Sequence, residues 1–221
     1  MHKIAFLTTI FPMNDNFLIS FFDSLKCQTF KFFDIVVVND NYSNFCDIKK
    51  NYSILNIHEI KYSSTPAKNR EFGINWCIKN SYDIIIFGDS DDYFAPNRIE
   101  KSLSFLNSYD IVVNDVSLFD EKGIIVENYF SHRLDNKHII NYEFIENKNL
   151  LGFTNTAVNT KILYEISFPE DITAVDWYFY KNLLKNNNAI FINETKTYYR
   201  QYNNNLVGLN NDGKFLFWWE K

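Results

Sequence analysis

Glycine is scarce in this 221-residue chain, with six in all, and the scarcity excludes two familiar ways of holding phosphate. No G-x-G-x-x-G follows the first apolar run, and no G-x-x-x-x-G-K-[ST] occurs. Dinucleotide-dependent dehydrogenases and P-loop nucleotidases are therefore set aside. A phosphate ligand would need its positive charge from another source. Cysteine is also sparse: Cys27, Cys46 and Cys77 are an odd number without paired spacing. They read as reduced, buried thiols of a cytosolic protein, not as a disulfide frame or a zinc site. His2, His58, His132 and His138 are scattered, with no metal-ligand spacing. Excess positive charge is missing too. A net charge of −5 and no dense Lys/Arg stripe argue against nucleic acid as a partner. No apolar run reaches the roughly 18–20 residues of a membrane span. Met1-His2-Lys3 leads straight into a strand-like run with no cleavage pattern, so no signal peptide is expected.

What the chain does have is apolar and aromatic residues, at 46% and 18%, enough for one substantial core and a single domain by default. The first half alternates between two periods. Ile4–Thr9 reads as a strand, and Phe17, Leu18, Phe21, Phe22 and Leu25 recur at helical spacing. Asp34–Asn39 holds Ile35-Val36-Val37-Val38, the continuous apolar run of a central parallel strand. A weaker strand is expected over Ile54–Ile60, a helix over Ala67–Asn80, a strand over Ile84–Gly88 and a helix over Arg98–Leu106. This order predicts an α/β fold: an open, mostly parallel twisted sheet with helices on both faces. The second half differs. Ile111–Phe119 and Ile124–Tyr129 flank a hairpin turn at Asp120-Glu121-Lys122-Gly123. A helix is expected from Asp176 to Lys185, then short strands Ala189–Ile192 and Thr197–Gln201. These make a smaller antiparallel portion.

The chemistry is announced where the Ile84 strand ends, at Gly88-Asp89-Ser90-Asp91-Asp92-Tyr93. Three carboxylates in four positions repel one another unless a cation or a donor-rich ligand is present. Alternation puts Asp89 and Asp91 on one side of an extended backbone. Mg²⁺ or Mn²⁺ would suit them, held by one or two carboxylates plus phosphate oxygens. The plainer alternative is a capping cluster for the helix after Pro96. Ligands of parallel sheets sit beyond the strands' carboxyl ends, where Thr8, Thr9, Asp40 and Asp89 all fall.

Four segments, in order, resemble the family 2 glycosyltransferases of the GT-A fold. They are Ile35-Val36-Val37-Val38-Asn39-Asp40-Asn41-Tyr42-Ser43, the helix start Pro66-Ala67-Lys68-Asn69-Arg70, Asp89-Ser90-Asp91-Asp92-Tyr93, and Tyr198-Tyr199-Arg200-Gln201-Tyr202 with its continuation to Gly208. The resemblance spans about Lys3 to Gly208. It implies one GT-A domain over 1–208, with a nucleotide-binding lobe to about 115, an acceptor-binding lobe from about 116, and an aromatic tail over 209–221. It implies that Thr8 and Asp40 hold the nucleotide base, that Lys68 stands near base or ribose, and that Asp89 contacts the ribose. Asp91, with help from Asp92, would bind a Mn²⁺ or Mg²⁺ that bridges the diphosphate, and Arg200 would add a second positive partner. Asp176, at the start of the late helix, would be the base; Asp171 is a nearby alternative, and a helix cap is the plainer reading of Asp176. Two departures stand out: Val175 replaces the family's Glu, and Lys68 stands where Arg is usual.

The activity so implied is metal-dependent, inverting transfer of a sugar from a nucleotide donor, with UDP as the family's usual nucleotide, to a glycan or glycolipid hydroxyl. Such enzymes often build bacterial surface polysaccharide or lipooligosaccharide, which implies a cytoplasmic protein, at the inner face of a membrane. The tail Phe215-Leu216-Phe217-Trp218-Trp219 could dock on the protein, between subunits or at a membrane. Two rival readings are a degenerate module that binds nucleotide without turnover, and a sugar nucleotidyltransferase.

Overall fold

The computed structural model describes residues 2–202. Residue 1, the Asn203–Gly208 end of the Tyr-Arg element and the aromatic tail lie outside the described residues. The chain opens with strand β1 (Ile4–Ile10), helix α1 (Asp15–Lys26), β2 (Asp34–Asn39), a short α2 (Phe45–Lys50), β3 (Ile57–Lys61), α3 (Pro66–Lys79) and β4 (Ile84–Phe87). It continues through β5 (Tyr93–Phe94), α4 (Arg98–Leu106), β6 (Ile111–Asp120), β7 (Gly123–Val126), β8 (Ile139–Ile140), α5 (Tyr142–Ile145), β9 (Thr156–Asn159), α6 (Val175–Leu184) and β10 (Ala189–Arg200).

One mixed sheet runs through both halves in the order β3-β2-β1-β4-β9-β6-β10-β5, with β7 on β6 and β8 on β10. The four strands from β3 to β4 are mutually parallel, as their uninterrupted apolar runs require. Alternation along each strand then sorts the core. Ala5, Leu7, Val36, Val38, Ile85 and Phe87 pack on the α3 and α6 side. Phe6, Ile35, Val37, Ile84 and Ile86 pack on the α1 and α4 side. Gly73 lets α3 lie close on the sheet: a Cβ there would come within 2.9 Å of Leu7 and Val38 methyl groups.

The expected fold class is the observed one, and several elements differ in detail. The joining strand β9 was not foreseen, because four residues beginning and ending in polar side chains carry no period. It sits antiparallel between β4 and β6, welding the two halves. The approximate division at residue 115 falls inside β6. The two short strands expected near the end are one strand, β10, with a register shift between Ile192 and Lys196. The third strand begins at Ile57, and Ile54 projects into solvent from the preceding turn. Of the cysteines only Cys77 is buried. Cys27 sits at the exposed end of α1 and Cys46 on the outer side of α2, so burial, expected for all three, holds for one. Among the described residues no helix is long and apolar enough to cross a membrane.

Candidate active site

The carboxyl ends of β1, β2 and β4 open on one cleft, and α3 supplies its cation. Thr65 caps α3 by accepting from the Lys68 N–H at 3.3 Å, and Pro66 occupies the first turn. Ala67, Ile74 and Cys77 set its buried face, and Arg70 falls on the same face by helical spacing. The Arg70 guanidinium donates to Asp89 Oδ1 at 2.7 Å and lies 5.2 Å from the centre of the Phe153 ring. Thr8, Thr9, Gly88 and Asp89 complete a narrow crevice beside it. Asp40, after β2, accepts from Ser63 Oγ at 2.5 Å and from Asn69 Nδ2 at 2.8 Å, which orients its carboxylate from two sides.

The acidic turn alternates between partly buried Asp89 and Asp91 and buried Ser90 and Asp92. Asp91 is half-buried, and burial followed by the charge of Asp89 raises its carboxyl above the ordinary range. Asp92 is fully buried, accepting from Thr154 Oγ1 at 2.5 Å and from the Arg200 N–H at 2.8 Å. With both oxygens engaged inside the protein, Asp92 braces the turn from below. That geometry gives it no open face for the metal contact expected of it. The capping alternative also fails: α4 starts at Asn97 without a side-chain capping bond. Beneath the turn, fully buried Arg98 donates to the Phe87 carbonyl at 2.6 Å and to Asn114 Oδ1 at 3.0 Å. Its guanidinium stacks 4.4 Å from the centre of the Phe94 ring. Burial disfavours its charge, which the carboxylates of Asp92 and Asp89 sustain.

Asp176 approaches from the other half of the chain, in the first turn of α6, whose N-cap is Ala174. Its Oδ1 accepts from the Trp177 N–H at 2.8 Å and, more weakly, from Asn149 Nδ2 at 3.4 Å. The other oxygen accepts no hydrogen bond among the described residues. Burial raises the Asp176 carboxyl, opposed by the Trp177 N–H and by Arg70. Arg70 likewise draws Asp91 back down. One guanidinium therefore acts on Asp89, Asp91 and Asp176 together.

Two expected binding residues are held by protein groups, Lys68 away from the acidic turn and Arg200 against it. Lys68 Nζ donates to Glu71 Oε2 and to the Phe168 carbonyl, both at 2.9 Å. It ties α3 to the segment before α6 and does not point at Asp89. Arg200 is sandwiched between the rings of Phe17 and Phe119, at 4.3 and 4.5 Å, and its Nε donates to the Asp91 carbonyl at 2.7 Å. Arg70 was missed, although its place on the Ala67–Ile74–Cys77 face was available from helical spacing alone. Tyr202 lies in the quoted Tyr-Arg segment, but its bond to Asp91 joins residues over a hundred positions apart and has no signal in local sequence. Asp115, in β6, is a buried staple accepting from the Val116 and Phe130 N–H groups and from Ser131 Oγ.

Hard oxygen ligands fit a divalent cation at Asp91 with Asp89 beside it. Among the described residues no three His, Cys, Asp or Glu side chains gather around one point. A cation here would complete its shell with ligand oxygens, phosphates above all.

A mixed sheet with its acidic turn at a parallel strand's carboxyl end, covered by an arginine-bearing helix, is the GT-A type of architecture that the sequence resemblance implied. The chain belongs to glycosyl transferase family 2, whose model matches residues 13–168. It is 26% identical over 213 residues to glycosyltransferase GlyA of Streptococcus pneumoniae, covering 90% of this chain and 30% of that protein. It is 28% identical over 122 residues to the O-antigen biosynthesis glycosyltransferase WbnJ of Escherichia coli, covering 52% of this chain and 48% of that one. The chain thus spans under half the length of these relatives. In fold it is similar to Staphylococcus aureus TarS 1-349 in complex with UDP-GlcNAc, with TM-score 0.71, 18% identity and coverage of 92% and 60%. It is also similar to the mannosyltransferase PcManGT of Pyrobaculum calidifontis in complex with GDP-Man and Mn²⁺, with TM-score 0.65, 11% identity and coverage of 89% and 56%.

Proposed function

We propose that this chain transfers a sugar from a nucleotide-sugar donor to a hydroxyl of a glycan or glycolipid, with inversion, in the assembly of a bacterial surface polysaccharide. The observation that carries the reading is the Arg70–Asp89 ion pair just after β4, whose guanidinium charge also favours the ionised forms of Asp91 in the same turn and of Asp176 on α6. Donor-side and acceptor-side groups come from halves of the chain about ninety residues apart, as a two-substrate reaction needs. The solved neighbours' nucleotide sugars and the O-antigen relative support the substrate class.

In this reading Thr8 and Asp40 receive the base, with uridine as the first nucleotide to test. Asp89 meets the ribose, and Arg70 faces the donor beside it. Asp91 holds a Mn²⁺ or Mg²⁺, which when bound supplies positive charge for the departing diphosphate. Asp92 serves as the brace of Asp91. Arg200 and Lys68 support the walls of the site. Asp176 takes the proton of the acceptor hydroxyl. The acceptor oxygen bonds the anomeric carbon from the face opposite the diphosphate. The bond from that carbon to the diphosphate oxygen breaks, and the nucleoside diphosphate keeps the electron pair. A single displacement of this kind inverts the anomeric centre. Burial makes the Asp176 carboxylate a better proton acceptor than an exposed one.

Calorimetric titration of UDP, GDP, CDP and TDP, each with and without Mn²⁺, tests the donor half. One nucleotide binds only with metal if the reading holds, and Asp91→Asn weakens that binding while Asp176→Asn leaves it intact. Asp176→Asn should lower transfer by about 10²–10⁴-fold. Metal-dependent binding without transfer to any acceptor would favour the degenerate module, for which Val175 is the specific motive. No binding by folded protein sinks the donor-site assignment.

A further inference from the structure

The end of β10 and the residues just after it grip the acidic turn at three points, and the third is chemically different. The Arg200 N–H donates to buried Asp92, and the Arg200 Nε donates to the Asp91 backbone carbonyl. Neither engages the side chain proposed to hold a cation. The phenol of Tyr202 does, donating to Asp91 Oδ2 at 2.7 Å. Its ring packs on Phe17 at a centroid distance of 5.5 Å, and Phe17 in turn packs on the Arg200 guanidinium. The phenol is therefore held in place by a ring stack anchored on α1, besides its own hydrogen bond.

We propose that Tyr202 is an internal occupant of the cation seat on Asp91, so that metal-assisted donor binding proceeds by exchange of the phenol for the cation. The proposal rests on the reading of Asp91 as the cation's ligand. Physically the two occupants exclude each other at Oδ2. The phenolic oxygen stands 2.7 Å from Oδ2, where it crowds the coordination shell of a cation that would stand only about 2.0–2.1 Å from the same carboxylate oxygen. While the seat is without a cation, a neutral donor relieves a carboxylate that its own burial and the charge of Asp89 both disfavour. When the phenol turns away, its movement is transmitted through Phe17 to α1 and through Arg200 to β10. Tyr202 thereby sets the apparent affinity for metal and nucleotide together, as a positioning residue that touches the ligand's seat in the resting state and leaves it in the loaded one.

Tyr202→Phe removes the hydroxyl and keeps the ring on Phe17. The test is calorimetric titration of UDP in the presence and absence of Mn²⁺, on wild type and variant in parallel. A charge-assisted hydrogen bond lost from the resting state predicts tighter metal-dependent binding in the variant, by about three- to tenfold. Metal-free binding should stay the same in the two proteins. Wild type that binds with metal while the variant binds equally or more weakly overturns the exchange and leaves the site reading standing. Wild type that shows no metal-dependent binding brings down the site reading and this proposal with it. Should the variant unfold early, Phe17→Leu offers a second route, loosening the stack that holds the phenol, with the same tightening expected.

Discussion

Arg70 Nη2 lies 2.7 Å from Asp89 Oδ1, joining the middle of one helix to the turn that ends the neighbouring strand. Both side chains are about three-quarters buried, at 26% and 27% exposure. The pair is thus shielded enough to matter more than a surface ion pair. The same guanidinium lowers Asp91 and Asp176 against the upward push of burial.

Replacing Arg70 by Met should therefore act on both halves of the reaction. Donor KM is expected to rise about tenfold or more, the cost of one charge-assisted hydrogen bond. The pH dependence adds a sign. Asp176 must be ionised to accept a proton, so activity falls as pH drops through its raised pKa. Loss of Arg70 raises it further, and the acid limb of the kcat profile moves to higher pH. Steady-state kinetics across pH checks both effects; an acid limb that stays in place would detach Arg70 from Asp176.

Lys68 offers the contrasting case. Its ammonium spans Glu71 and the Phe168 carbonyl, so Lys68→Met should loosen the segment before α6. A stability loss of about 1 kcal/mol is expected, with nucleotide affinity within about twofold of wild type. A tenfold loss of nucleotide affinity at unchanged stability would return Lys68 to the donor site. Denaturant unfolding and calorimetry together decide.

Gly88 lies under the acidic turn, where a Cβ would stand 2.5 Å from a Phe6 ring carbon and 2.6 Å from one of Phe94. Gly88→Ala must displace two buried rings, one of them stacked on Arg98. Overpacking of this kind costs about 1–3 kcal/mol, and Tm should fall by several degrees on a thermal scan. An unchanged Tm would mean that the rings move aside freely.

The acidic turn also makes a prediction for stability. Burial and the neighbouring carboxylates raise both Asp91 and Asp92 in the folded state. The folded protein then binds these protons more tightly than the unfolded chain. The associated stability is present below the ordinary carboxylate range and is lost as pH rises through the raised values. A divalent cation competes with those protons, so the Tm gain on adding millimolar Mn²⁺ should be larger near about pH 8 than near about pH 5. Equal gains at both would place the cation elsewhere.

Much of this molecule is written locally. Continuous apolar runs at Ile35–Val38 and Ile84–Phe87 demand buried parallel strands, and amphipathic spacing after them demands covering helices; these patterns are complete within a dozen residues. The concentration of acid at Asp89–Asp92 is legible for the same reason. What required the folded chain is every relationship between distant segments. Asp91 and Asp92 are neighbours of one residue type, yet one keeps partial exposure and the other is sealed by Thr154 and Arg200, residues about sixty and one hundred positions away. Lys68 and Arg70 are two basic residues on one helix, and about 200° of helical rotation sends one to Phe168 and the other to Asp89. Strand β9 has no period to read because its burial comes from β4 and β6 on either side. Local pattern sets which elements form, since period and propensity act over a few residues. Which carboxylate faces a ligand and which braces the turn depends on partners that only tertiary packing brings within hydrogen-bonding distance.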